Sequence, residues 1–295
     1  MRITNMMSAN NLVQHIQENQ EQVYKIQEQI ASEKSFETPS EDPLNASASM
    51  KLKSALLISQ GYQNTASTVN EWMSATDSSM DQLETLANNA INLVLSGLDD
   101  GTSSTERSTS MATELTEIIN QAIDLGNTKY KDSYIFSGTN LNDQPFALDE
   151  NGALTYNGNS STMVRGVGQS SNVVMNVAGD SSISPLIKAM IDARDKLKLD
   201  DVDGLSVSLE TLQNAFTSLS NDRTASGARA RQVTNSIAAM KETDTTLNSL
   251  LNSKENTDLA DAAVVLKAKQ TALQSVLDVG SRALSALNLF DYLQQ

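Results

Sequence analysis

Apolar residues recur at alternating spacings of four and three at both ends of this chain. Near the start they are Leu12, Ile16, Val23, Ile26 and Ile30, with Asn19 filling one place in the row. Near the end the row is Leu259, Ala262, Leu266, Lys269, Leu273, Val276, Gly280, Ala283, Leu287 and Phe290. This spacing draws one stripe along a helix, the seam by which helices wrap around each other. A helix with such a seam cannot bury it alone. The simplest arrangement pairs the two ends with each other and then with neighbouring copies. The large apolar residues of both rows, Leu12 to Ile30 and Leu259 to Phe290, are therefore the expected assembly interface. A two-helix hairpin within one chain would also account for the seams. Asn19, Lys269 and Gly280 argue instead for a stripe shared among several neighbours.

Only 4% of the 295 residues are aromatic, against 39% apolar overall. That balance suits helices packed side by side better than a thick globular core. The formal charge of -15 repels nucleic acid and anionic membranes, so neither is an expected partner. Absence of Cys excludes disulfides and thiolate metal sites. No run approaches the roughly 20 apolar residues of a membrane span. Met1-Arg2-Ile3-Thr4-Asn5 lacks the apolar segment of a secretory signal. Composition thus reads as cytoplasmic, and a protein exported without a cleaved signal would read the same.

The first helix is expected over residues 1–33. Pro39 and Pro43, with Ser40, Glu41 and Asp42 between them, forbid its continuation. Helical spacing resumes at Leu44, Met50, Leu52 and Leu56. It strengthens through Met73, Thr76, Met80, Leu83, Ala87, Ala90 and Val94 up to Gly97. Another helix, capped at Ser103, Ser104 or Thr105, follows through Met111, Leu115, Ile118, Ala122 and Leu125. From Lys131 the pattern turns β-like. Tyr134-Ile135-Phe136 reads as a strand, Phe146 to Tyr156 as a hairpin around Asn151-Gly152, and Met163-Val164 and Val173-Val174-Met175 as further strands. Helices return over 186–199, over 205–250 with a weak point at Ser226-Gly227, and over 257–292, with Asn256 or Thr257 as cap. The expected fold is mainly α and elongated. Terminal coiled-coil helices span 1–36 and 257–295, a nested helical-bundle rod spans 44–130 and 186–250, and a small β-rich insert spans 131–185.

Candidate chemistry is sparse. His15 is the only His and lies beside the first seam, far in sequence from any Gly-rich turn. Asp201, Asp203, Gly204 and Glu210 match part of a calcium loop, but Leu199 stands where its first ligand should be. Gly166-Val167-Gly168 lacks the third glycine of a dinucleotide fingerprint. Trp72 beside Met73 reads as core. The chain is thus expected to be no enzyme and to take no cofactor or metal.

Several motifs carry a resemblance, those at the two ends being the most specific. Arg2-Ile3-Thr4-Asn5, Gln27 to Lys34 and Thr38-Pro39-Ser40-Glu41-Asp42-Pro43 are similar to the N-terminus of the flagellin-like family, and the Pro-Ser-acid-acid-Pro element to its hook-associated members. Ile135-Phe136-Ser137-Gly138-Thr139, and the ending Ala286-Leu287-Asn288-Leu289-Phe290-Asp291-Tyr292-Leu293, resemble the members at the hook–filament junction. The likeness runs in order along the whole chain. This sequence departs from the family pattern at Glu33, where Gly is usual, and at Ser226, before Gly227-Ala228.

The resemblance implies a structural subunit of the bacterial flagellum that joins hook to filament and polymerises through its terminal helices. Its implied partners are a second junction protein, flagellin and copies of itself in a ring. It would leave the cytoplasm by flagellar type III export and end outside the cell. A cytoplasmic export chaperone would hold its C-terminal helix, by the broad apolar face of Leu273, Val276, Leu277, Leu284 and Leu287. Flagellin itself, or an unrelated coiled-coil adaptor, are the alternatives.

Overall fold

A computed structural model describes residues 2–292, with side chains described at position 7 and from 10 to 282. Helix α1 (Arg2–Ser32) is followed by α2 (Pro43–Gly97), a π-helical turn (Glu106–Met111) and α3 (Ala112–Gly126). Six short strands come next: β1 (Lys129–Tyr130), β2 (Ser133–Tyr134), β3 (Phe146–Leu148), β4 (Leu154–Tyr156), β5 (Val164–Gly168) and β6 (Ser171–Val174). Helices α4 (Gly179–Ser182), α5 (Ser184–Lys198), α6 (Val202–Glu255) and α7 (Leu259–Tyr292) complete the chain. The fold is mainly α with a small β insert, as the periodicity predicts. No helix among the described residues is long and apolar enough to cross a membrane.

Residues 58–243 form one compact unit. Its core follows the row read from the sequence: Met73, Thr76, Met80, Leu83, Ala87, Ala90 and Val94 are each at most 1% exposed. Burying a Leu or Met side chain stabilises by roughly 1.5–3 kcal/mol. The one hydroxyl in this row is satisfied locally, since Thr76 Oγ1 donates to the Trp72 carbonyl at 3.0 Å. Leu115 and Ile119 of α3, Leu186 and Met190 of α5, and Leu205, Leu212 and Leu219 of α6 pack into the same core. Trp72 is buried and meets Tyr130 edge-on, with ring centroids 5.8 Å apart. Helix α6 continues through Ser226-Gly227 without a break. Ser226 is buried there.

The strands form three separate antiparallel pairs, β1–β2, β3–β4 and β5–β6. Asn151-Gly152 lies in the β3–β4 turn, with Gly152 at φ 75°. Asp149 Oδ1 accepts the N–H groups of Asn151 and Ala153 at 2.9 and 2.8 Å. The expected strand Tyr134-Ile135-Phe136 is shorter than its β-like composition suggests. Pairing stops at Tyr134, and Ile135 and Phe136 are fully buried. Phe146 anchors the insert. A Cβ on Gly126 would lie 2.7 Å from its ring, and one on Gly179 would lie 2.6 Å from it, so both glycines make room for the aromatic side chain. The Asn127 amide then pairs with the Phe146 backbone in both directions, at 2.9 and 3.0 Å.

The other unit comprises residues 1–57 and 244–295. It holds α1, α7, the start of α2 and the end of α6.

Candidate assembly interface

Both end segments are helical because their seam residues alternate with good helix formers such as Gln, Glu, Ala and Leu, and no Pro interrupts either. The two helices pack on each other in antiparallel sense. A Cβ on Gly280 would lie 2.9 Å from Leu12 Cδ2, and Lys269 Nζ donates to Gln22 Oε1 at 2.6 Å. Residues at the seam positions are less exposed than their neighbours. Val23, Ala262 and Gly280 are buried, while Leu12, Ile16, Ile26, Ile30, Leu266, Leu273 and Val276 are half-buried. Leu259, at the start of α7, is 44% exposed, and Leu277 faces away from the seam at 40%. The side chains of Leu284, Leu287 and Phe290 lie outside the described residues.

Pairing two helices covers only part of their apolar surface. Met7, Val13 and Tyr24 on α1, and Val264 and Val279 on α7, are each more than half exposed. Their spacing is irregular, so heptad counting passes over them. Single exposed apolar residues are ordinary, but a group on two paired helices marks surface that a partner can cover.

A joint ties the start of this helix pair to the rest of its unit. Helix α1 ends at Ser32, Glu33 takes φ 58°, and Lys34 forms an isolated antiparallel bridge with Asn256. The Ser35 N–H donates to the Glu255 carbonyl at 2.7 Å, and the Thr257 N–H to the Glu33 carbonyl at 2.9 Å. The side chain of Gln29 donates to the Ser35 carbonyl at 2.7 Å. On the α2 side, Ser49 and Lys53 both bond the Glu255 carboxylate. Burial pushes this carboxyl up, but the bonds from Lys53 and Ser49 outweigh it and hold Glu255 below the ordinary carboxylate range. Sequence reading missed this joint, because its contacts link residues more than 200 positions apart.

Two helix starts are fixed by Asp. Asp42 Oδ1 accepts the Asn45 N–H at 2.9 Å as α2 begins at Pro43. Asp258, rather than the expected Asn256 or Thr257, caps α7 by accepting the N–H of Ala260 at 2.9 Å and of Asp261 at 3.2 Å. The partial calcium-loop pattern resolves as another helix start. Asp201 accepts the Gly204 N–H at 2.9 Å and pairs with Lys196 at 3.0 Å, and both hold its carboxyl below the usual range. His15 is exposed and meets Glu18 at 3.3 Å.

The family described as the bacterial flagellin N-terminal helical region matches residues 3–141. Flagellar hook-associated protein 3 of Escherichia coli strain K12 is 27% identical over 181 residues, 61% of this chain. The match spans little more than half of that relative, 56% of its length. Among solved structures, a provisionally assigned flagellar hook-associated protein from Vibrio parahaemolyticus covers 73% of this chain and 100% of its own, with TM-score 0.67 and 16% identity. FlgL of Bacillus cereus covers 68% of this chain and 99% of its own, with TM-score 0.61 and 20% identity. At such identities these structures speak to the fold alone. The sequence matches make the chain similar to the flagellin N-terminal helical region and to hook-associated protein 3.

Proposed function

We propose that this flagellin-like chain is a structural subunit of the bacterial flagellum that joins the hook, beside a second junction protein, to the flagellin filament. The observation that carries the reading is the pair of terminal helices whose seams are only half covered by each other. Assembly covers the remainder. At roughly 25 cal/mol per Å2 of apolar area, that burial offsets the ordering of the ends and the mutual repulsion of acidic copies. Similarity to hook-associated protein 3 favours a ring of copies at the junction over an unrelated coiled-coil adaptor.

A strain lacking the protein tests the place in the assembly. A junction subunit, when missing, lets unpolymerised flagellin escape into the medium. The match to the flagellin N-terminal region favours one second reading, a filament subunit. Such a protein would polymerise alone into long filaments, and its loss would remove the filament while leaving capped hooks. No change in export or motility would defeat both readings.

Export adds a further expectation. On this reading a cytoplasmic chaperone binds α7 across Leu273, Val276, Leu277, Leu284 and Leu287. Of the described members, Leu273 and Val276 sit half-buried in the α1–α7 seam and Leu277 is exposed. The chaperone would therefore displace α1 from part of α7. Leu277→Asp with Leu284→Asp should abolish chaperone binding and leave the helical signal of the remaining chain intact. Unchanged affinity in a titration would refute the assignment.

A further inference from the structure

Two Asn-Gly pairs lie close together in the β insert, Asn151-Gly152 and Asn157-Gly158. An Asn followed by Gly is open to a reaction within its own backbone. The amide nitrogen that follows it attacks the side-chain carbonyl carbon, and ammonia leaves. Glycine permits this best, because no Cβ obstructs the five-membered imide ring and the backbone turns freely. The attack is intramolecular, so its rate depends on how readily nitrogen and carbon can meet. A hydrogen bond on the attacking N–H opposes it, and so does a side chain already held elsewhere.

The fold treats the two pairs differently. The Gly152 N–H donates to the Asp149 carbonyl at 2.9 Å, and Gly152 completes the turn at φ 75°. Asp149 Oδ1 also holds the Asn151 N–H at 2.9 Å. The attacking nitrogen of this pair is therefore occupied. At the second pair the Gly158 N–H has no acceptor among the described residues. The Asn157 side chain is exposed and has no hydrogen-bond partner among them. Asn140 Nδ2 donates to the Asn157 carbonyl at 3.3 Å. That bond draws electron density from the Gly158 amide and makes its proton easier to lose. The neighbouring Asn159 is locked instead. Its Oδ1 accepts the N–H groups of Thr139 and Ser161 at 3.1 and 3.0 Å, and its Nδ2 donates to Thr139 Oγ1 at 3.0 Å.

We infer that Asn157 is a site of spontaneous deamidation. The Gly158 nitrogen gives up its proton to solvent base and forms a bond to Asn157 Cγ. The Cγ–Nδ2 bond breaks, and Nδ2 takes a proton from water and leaves as ammonia. Water then opens the imide at one of its two carbonyls. Opening at Cγ leaves an aspartate at 157. Opening at the main-chain carbonyl leaves isoaspartate, whose main chain is one methylene longer. Each event adds one negative charge to a chain already at -15. The longer main chain has no space here. A Cβ on Gly158 would already lie 2.9 Å from the Ser137 carbonyl, and nearer still to the Tyr156 hydroxyl. Isoaspartate therefore pushes residues 158–159 away from 137–139. The bonds of Asn159 to Thr139, and of its N–H to the Ser137 carbonyl at 3.1 Å, are lost. Ageing at one exposed side chain thus unfastens the clasp between two loops of the insert.

The test needs only the full-length chain. It is incubated in mildly alkaline buffer, and residues 151, 157 and 159 are followed by fragment-ion mass spectrometry. In the folded chain Asn157 should deamidate about fivefold faster than Asn151, the factor that one backbone hydrogen bond contributes. In urea, where no fold separates them, the two Asn-Gly pairs should react at similar rates. Asp149→Ala loosens the first turn and should raise Asn151 towards the rate of Asn157. Equal rates in the folded chain, faster loss at Asn151, or no response to Asp149→Ala overturns the assignment. The same preference in urea assigns it to local sequence and overturns it as well. The aged chain should also be cut faster by protease within 137–160, and an equally aged Asn157→Gln chain should not. Unchanged protease resistance after conversion to isoaspartate overturns the unfastening of the clasp.

Discussion

Glu33 sits in the left-handed backbone region at φ 58°, where a Cβ costs roughly 1–2 kcal/mol. Its side chain is exposed, and the chain reverses here because the joint requires it. Glu33→Gly should therefore stabilise the protein, by about 0.5–1 kcal/mol after the extra freedom of Gly in the unfolded chain is counted. Urea unfolding measures this, and a lower midpoint would show that the Glu33 backbone is not strained. Gly280 is a converse case. Its missing Cβ lets Leu12 approach, so Gly280→Val should force α1 and α7 apart locally. The expected loss is roughly 1–3 kcal/mol, seen as earlier melting of the terminal helices. The departure at Glu33 from the motif that the N-terminal segment resembles is visible in the sequence. Its left-handed backbone is not, because nothing in the composition of Ser32-Glu33-Lys34 names the residue that reverses.

Single polar clusters hold long helices in register. In the 58–243 unit, Arg223 of α6 meets three carboxylates of α2: Nε lies 2.9 Å from Asp77, and Nη1 lies 2.7 Å from Asp81 and 2.6 Å from Glu84. These bonds, that to Asp77 first, hold the guanidinium charged against partial burial. Arg223→Ala would leave three acidic groups facing one another and should cost roughly 2 kcal/mol, less than for a fully buried pair because Asp77 and Asp81 reach solvent. Urea denaturation checks it, and Arg223→Lys should recover part of the loss, since Lys cannot bridge three carboxylates from one planar group. At the joint, Glu255 lies below its ordinary value of about 4.3. Its contribution to stability is therefore complete above that value and is lost as pH falls through the lower, folded one. Glu255→Gln should flatten the acid limb of a stability curve between pH 7 and 3. An unchanged limb would assign the acid sensitivity to other carboxylates.

The whole chain divides its stability unevenly. The row from Met73 to Val94 is buried throughout, whereas most seam residues of α1 and α7 are only half-buried. Amide exchange on the free subunit should therefore be slow across 73–94 and fast across 5–30 and 260–290, and assembly should slow the ends. Equal protection at the ends of the free subunit would mean that α1 and α7 need no neighbour.

Periodicity by itself determined which faces are apolar, because a 3.6-residue repeat converts sequence spacing directly into position around a helix. It located the core row of α2, the seam of α1 and α7 and the mainly α class, while the Asn-Gly pair marked the turn at Asn151-Gly152. Tertiary structure alone decided how those faces are used. Ile135 and Phe136 leave their strand for the core between helices. Asp258 caps α7 where Asn256 is drawn into a bridge with Lys34. Glu255 gathers Ser49 and Lys53 from 200 residues away, and Arg223 gathers Asp77, Asp81 and Glu84. Each of these depends on partners remote in sequence, whose proximity exists only once the chain has folded, so no local pattern encodes it.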